Sequence, residues 1–203
     1  MSSARFPATP AGGGDEPSVD RGSMRPTLEG VFRAEFSYVA HALLRLGVPD
    51  REVDDVTHDV FFTVHRRLPE FDPGRPVRPW LFGIALRHAA DYRRRIRNRR
   101  EHVTDTPPDV EDGGRGPDSE VGARQMRAVV LRALEALDLD KRAVLVMHDI
   151  DGHTATEIAE ALSVPLNTVY SRLRVARERF RDEIRTVQHE PPRLRSGDEE
   201  ARS

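Results

Sequence analysis

The chain has 203 residues, with 32 Lys and Arg against 34 Asp and Glu, so it is long enough for one or two small domains and carries a net charge of only −2. It has no cysteine, which excludes disulfides, thiolate nucleophiles and cysteine-ligated zinc. No apolar run is long enough to cross a bilayer and the N-terminus lacks the basic-then-apolar pattern of a secretion signal, so the expected location is cytoplasmic, without membrane insertion.

Residues 1–26 are rich in Gly, Pro, Ser and Ala and read as a disordered tail. From 27 to 101 the apolar spacing is helical, with segments near 28–46, 51–68 and 78–100 separated by Gly47-Val-Pro49 and Phe71-Asp-Pro-Gly74. Residues 102–123 hold Pro107-Pro108, Gly113-Gly114 and an acidic cluster, the composition of a flexible acidic linker. A second helical unit spans 124–187. It opens on a helix whose core face is Met126, Val129, Val130, Ala133, Leu134 and Leu137, and residues 188–203 form a polar tail. No alternating pattern competes, so the fold class is all-α: two small helical domains on a tether.

The near-neutral total conceals segregation. Arg87, Arg93, Arg94, Arg95, Arg97, Arg99 and Arg100 crowd one stretch and Arg172, Arg174, Arg177, Arg179 and Arg181 another, with the acidic residues between them. In the second helix Val53, Val56, Val60 and Val64 make a core face. Asp55, His58, Phe62 and His65 lie opposite, and a large aromatic displayed among charges suits a partner-binding surface. Farther on, Phe71, Trp80, Phe82 and Tyr92 are interleaved with arginines. Such rings can stack on unpaired bases while guanidinium groups follow the backbone, although Leu81, Ala85, Ala89, Tyr92 and Ile96 also form a core stripe and Trp80 suits either role.

Near the C-terminal end, Thr154 and Glu157 have the spacing of a capping box ahead of an apolar face at Ala155, Ile158, Ala159 and Leu162. Ser163-Val-Pro165 breaks that helix. The next keeps Val169, Leu173, Ala176, Phe180 and Ile184 on one side and turns Asn167, Ser171 and Arg174 outward, with Tyr170 at the edge and Arg172, Arg177 and Arg179 flanking. This is a helix-turn-helix, with side chains able to reach base edges between side chains suited to phosphates. A simple helical pair with a solvated arginine face is the plainer reading of this segment.

Two other functional classes compete. The eight histidines and a run such as His148-Asp149-Ile-Asp151-Gly-His153 raise a metal-dependent nuclease, but no zincin spacing occurs. A DNA-binding regulator that works through the helix-turn-helix alone would leave residues 28–101 unexplained, because that segment shows neither a dimerisation seam nor a ligand pocket. No Walker or dinucleotide glycine motif is present, so no cofactor is expected.

With both halves in view, the chain resembles the extracytoplasmic-function (ECF) group of bacterial sigma factors. The resemblance rests on Asp54-Asp-Val-Thr-His-Asp-Val-Phe61, Phe71-Asp-Pro-Gly74, Trp80-Leu-Phe-Gly-Ile-Ala85, Asp91-Tyr-Arg93, Glu157-Ile-Ala159 and Pro165-Leu-Asn-Thr-Val-Tyr-Ser-Arg172 in the family's order. It implies a promoter-specificity factor rather than an enzyme, with core RNA polymerase (beta-prime and beta subunits), promoter DNA and an anti-sigma factor as partners. By the same resemblance Asp55, His58, Asp59, Phe61, Phe62 and His65 would dock on the beta-prime coiled coil. Phe71, Asp72 and Arg75 would receive a base flipped from the minus-10 element, with Arg78, Trp80, Arg87, Arg93 and Arg94 gripping the DNA there. Asn167, Thr168, Tyr170, Ser171, Arg172, Arg174 and Arg177 would read the minus-35 duplex. One departure is Leu86-Arg87, where many members carry Arg-Asn.

Overall fold

The computed structural model describes residues 26–102 and 118–189, and every regular element among them is helical. The expected N-terminal tail, most of the expected linker and the end of the C-terminal tail lie outside the described residues.

Helix α1 (Leu28–Arg45) starts where the Thr27 hydroxyl accepts from the Gly30 amide. It ends at Gly47, whose φ of +92° lets the Val48 amide reach back to the Leu43 carbonyl. Pro49 then opens α2 (Asp50–Arg67), and α3 (Val77–His102) follows a short 3₁₀ turn and a tight loop. The three helices bury Val39, Leu43, Val60, Val64, Leu81, Phe82 and Ile84 against one another. Phe82 and Tyr92, considered above as base-stacking rings, are both in this core. They sit within the Leu81, Ala85 and Ala89 stripe, which faces α1 and α2.

The second unit begins earlier than its spacing predicts. Helix α4 runs from Asp118 to Glu135, so the expected linker boundary at 123 lies inside a helix. Gly122 does not break it. Met126, assigned to the core face, is 57% exposed, whereas Ala133, Leu134 and Leu137 are buried; the fully buried face starts about two turns later. Helix α5 (Leu139–Leu145) continues into a π turn at Val146–Ile150, and Gly152 adopts φ +76° before α6 (Ala155–Leu162). The capping box at Thr154 and Glu157 forms in both directions. Ser163 caps α6 in the left-handed region at φ +55°, and α7 (Leu166–His189) lays Val169, Leu173 and Ala176 into the core.

The two units pack on each other. Tyr38 and Arg45 of α1 meet Asp151, and α6 lies on α3 so closely that a Cβ at Gly83 would stand 2.8 Å from the Ala161 carbonyl oxygen. Arg142 is also at this junction. It is 1% exposed, its guanidinium lies against Gly47 and near Arg93, its Nη2 donates to the Leu137 carbonyl, and its Nε has no partner. Burial pushes its pKa down to about 10, and Arg93 adds to that effect.

Thr57 is fully buried on α2 with an unpartnered hydroxyl. Thr57→Val keeps the shape and removes the unsatisfied oxygen, so stability should rise by about 1 kcal/mol. A shift of the urea midpoint at unchanged slope is the measurement.

Candidate nucleic-acid interface

Three surfaces hold the candidate residues. On α2, Phe62 is 72% exposed, with Asp55, His58, Asp59 and His65 exposed around it. The His58 Nδ1 is held 2.7 Å from the Asp54 carbonyl, and its ring edges against Phe36. Phe61 is different. It is 5% exposed, with its ring 4.8 Å from that of Phe32 and 6.0 Å from that of Phe36, so the expectation of a surface contact is corrected: it shares the Val53, Val60 and Val64 face and props the helix from within. Phe32 is partly exposed beside this cluster, a surface aromatic that sequence reading did not single out.

The second surface is the 71–80 loop and the start of α3. Asp72 closes the turn, accepting from the Gly74 amide and lying 3.4 Å from the Arg75 guanidinium. Phe71 is buried, and its ring centroid is 4.8 Å from that of Trp80, which is half-buried. Phe71 therefore backs the Trp80 ring rather than presenting its own. Arg78 is spent on two neighbours, with Nε donating to Glu35 at 2.9 Å and its guanidinium 5.1 Å above the Tyr38 ring. Arg87 and Arg93 are exposed, while Arg94 pairs with Asp91. Phe71, Asp72, Arg75, Trp80 and Arg87 line one cleft of about 330 Å³, whose far wall is Glu157, Glu160 and Ala161 of α6.

The third surface is the outer face of α7. Asn167, Ser171 and Arg174 are exposed and Tyr170 is 55% exposed; the Ser171 hydroxyl donates to the Thr168 carbonyl. Arg174 has no ion pair among the described residues, whereas two expected neighbours are engaged. Arg172 reaches Asp140 at 2.6 Å, and Arg177 donates from Nε and Nη2 to both oxygens of Asp149 at 2.8 and 2.6 Å. The Arg177 hydrogen bond holds the Asp149 carboxyl below the usual carboxylate value, with burial opposing and His148 assisting. Tyr170, Arg174, Arg177 and Arg181 border one shallow groove. Among the described residues no group of His, Asp and Glu could hold a metal, and no helix is long and apolar enough to cross a membrane.

Known proteins share this layout. The models for Sigma-70 region 2 and Sigma-70 region 4 match residues 31–100 and 127–180. RNA polymerase sigma factor NccH of Alcaligenes xylosoxydans xylosoxydans is 32% identical, over 81% of this chain and 94% of that protein. RNA polymerase sigma factor CnrH of Cupriavidus metallidurans is 36% identical over 70% and 78%. The ECF RNA polymerase sigma-E factor of Escherichia coli K12 is 27% identical over 75% and 84%. Among solved structures, CnrH in complex with the cytosolic domain of CnrY superposes with a TM-score of 0.58 at 28% identity, covering 78% of this chain and 88% of that one. The sigma factor RpoE of Bartonella quintana, solved with the anti-sigma factor NepR, shares the fold at a TM-score of 0.58 and 16% identity, covering 77% and 96%. These findings define a transcription initiation factor. The chain belongs to the ECF group of sigma-70-family RNA polymerase sigma factors.

Because the folded-state value of Asp149 is depressed, its pairing with Arg177 contributes stability that is fully present above the ordinary carboxylate pKa. That contribution is lost as pH falls through the folded-state value. Arg177→Met should move the Asp149 titration, followed by carboxyl-carbon NMR, upward toward the ordinary value and shrink the acid-side loss of stability.

Proposed function

We propose that this ECF sigma factor binds core RNA polymerase through the α2 face and directs initiation at promoters whose minus-10 and minus-35 elements it reads with its first and second domains. The observation that carries the reading is the exposed Phe62 ring, opposite a fully packed valine face and among Asp55, His58, Asp59 and His65. An apolar ring that large on a polar helix surface is the anchor expected of a protein interface. On the first domain Trp80, backed by Phe71 and flanked by Arg75 and Arg87, is the stacking platform for an unpaired base; Asp72 shapes the loop, and Arg93 and Arg94 follow the backbone. Arg78, held by Glu35 and Tyr38, supports that platform.

On α7, Arg174 is the free base-reading cation, with Asn167, Tyr170 and Ser171 beside it. Arg172 and Arg177 are phosphate contacts that exchange Asp140 and Asp149 for DNA. Thr168 anchors the start of that surface through its carbonyl. The two domains, weak alone, gain affinity from being joined. The likeness to CnrH, solved with the cytosolic domain of CnrY, supports a protein partner for the sigma factor, and an anti-sigma factor is the kind the family resemblance implies. Chemistry stays with the polymerase.

Transcription reconstituted with core polymerase and promoter DNA tests the reading: start sites that depend on this protein are expected, and their absence would overturn it. Phe62→Ala should weaken core binding by about 2 kcal/mol with helicity unchanged, measured by titration of labelled protein and circular dichroism. Arg174→Ala should lose about 1–3 kcal/mol on the preferred minus-35 duplex and relax discrimination at one position, measured across a library of duplexes.

A further inference from the structure

Arg142 carries a positive charge into the interior without a counter-ion. It is 1% exposed, its Nε has no partner, and the hydrogen bond it does make among the described residues is a long one, from Nη2 to the Leu137 carbonyl at 3.3 Å. Burial pulls its pKa down to about 10, which still leaves the guanidinium protonated at neutral pH. A buried cation in that condition is unfavourable unless an anion meets it.

The surrounding side chains deepen that need. Gly47, at φ +92°, has no Cβ, and the Arg142 Nη1 lies 2.4 Å from where one would stand; the Arg93 Nη1 lies 3.5 Å from the same point. Two guanidinium groups from different helices, α5 and α3, therefore converge on one place beside the end of α1. Arg93 is exposed and gives that place its solvent side. Of the carboxylates in range, Glu135 acts on Arg142 through space without an ion pair, and Asp138 is taken by Lys141.

We propose that Arg142 and Arg93 hold a small oxyanion of the phosphate class beside Gly47, in a site to which both domains contribute. Two planar, forked donors suit an anion with several acceptor oxygens, and two positive charges suit a dianion over chloride. The burial of Arg142 limits the ligand to a small free anion such as inorganic phosphate, rather than a nucleotide or a DNA strand. Such an anion turns an unfavourable burial into a favourable pairing, so it stabilises the folded chain as its occupancy rises.

Thermal unfolding of the full-length protein in inorganic phosphate, against chloride at the same pH and ionic strength, tests the site. The Tm should rise in phosphate and saturate, and titration calorimetry with phosphate should show one site. Phosphate also stabilises proteins generally by exclusion from their surfaces, but that effect grows without saturating and is indifferent to a single arginine.

Two variants separate the contributions. Arg93→Ala removes an exposed side chain and leaves the core intact, and it should raise the half-saturating phosphate concentration about tenfold, as loss of one charged hydrogen-bonding partner gives. Arg142→Met removes the buried charge at similar length and should abolish the saturable shift. A Tm that climbs no further in phosphate than in chloride would overturn the site, as would the same saturable response in wild type and Arg93→Ala. The Arg93→Ala comparison decides alone if Arg142→Met does not fold.

Discussion

Asp151 accepts hydrogen bonds from Tyr38 and Arg45, and the placement of the recognition elements depends on that carboxylate. It sits between the π turn and α6, with its backbone amide bonded to the Val146 carbonyl, so tying its side chain to α1 fixes where the helix-turn-helix begins relative to the first domain. Burial and the neighbouring carboxylate push the Tyr38 phenol well above its ordinary pKa, so it remains a donor throughout the accessible pH range. At the same junction α6 lies close to Gly83, Glu160 approaches Arg75 and Arg142 is buried.

Within each domain the organising constraint is that one helix must serve a core and a surface. A 3.6-residue period separates the two by placing them on opposite sides of the same cylinder. On α2 the valines and Phe61 satisfy the core and leave Phe62, one position on, pointing into solvent. On α7 Val169, Leu173 and Ala176 do the same and leave Asn167, Tyr170, Ser171 and Arg174 outward. A rigid packed face is what makes the outward face useful, because side chains that read a partner must arrive in one register.

This division explains what could be read from the chain alone. The all-α class, the two-faced helices and the helix-turn-helix follow from periodicity and caps, and the structure bears them out at Thr154 and Glu157 in particular. The chain is ambiguous where one signal serves two roles. The resemblance names Phe61 and Phe62 together, although they lie about 100° apart on the helix and only Phe62 is exposed. Phe82 and Tyr92 stand among arginines in the sequence, which suits base stacking, yet both are buried, as the core stripe through Leu81, Ala85 and Ala89 predicts for Tyr92. Spacing alone puts Met126 on the core face although it is 57% exposed, and a glycine among acidic residues has the composition of a tether although α4 already runs through that stretch. The Asp151 anchor was not legible at all. Its partners are 106 and 113 positions away in the chain, and no local pattern signals a pairing over that distance.

The ion pairs of the second domain bear on how it would meet DNA. Arg172 and Arg177 are engaged with Asp140 and Asp149, so a phosphate contact by either one is an exchange of anions rather than the filling of an empty site. In such an exchange the phosphate sheds a condensed counterion, while the abandoned carboxylate attracts cations or a proton in its place. The salt dependence of binding would then fall short of the number of arginine–phosphate contacts, and the shortfall would be greatest for Arg177, which is held through both oxygens of Asp149. Arg174 has no such partner among the described residues, so a contact with DNA there would cost no ion pair seen among them. The cost of such an exchange is the same on every sequence, so it would lower the affinity a paired arginine adds without changing which base is preferred.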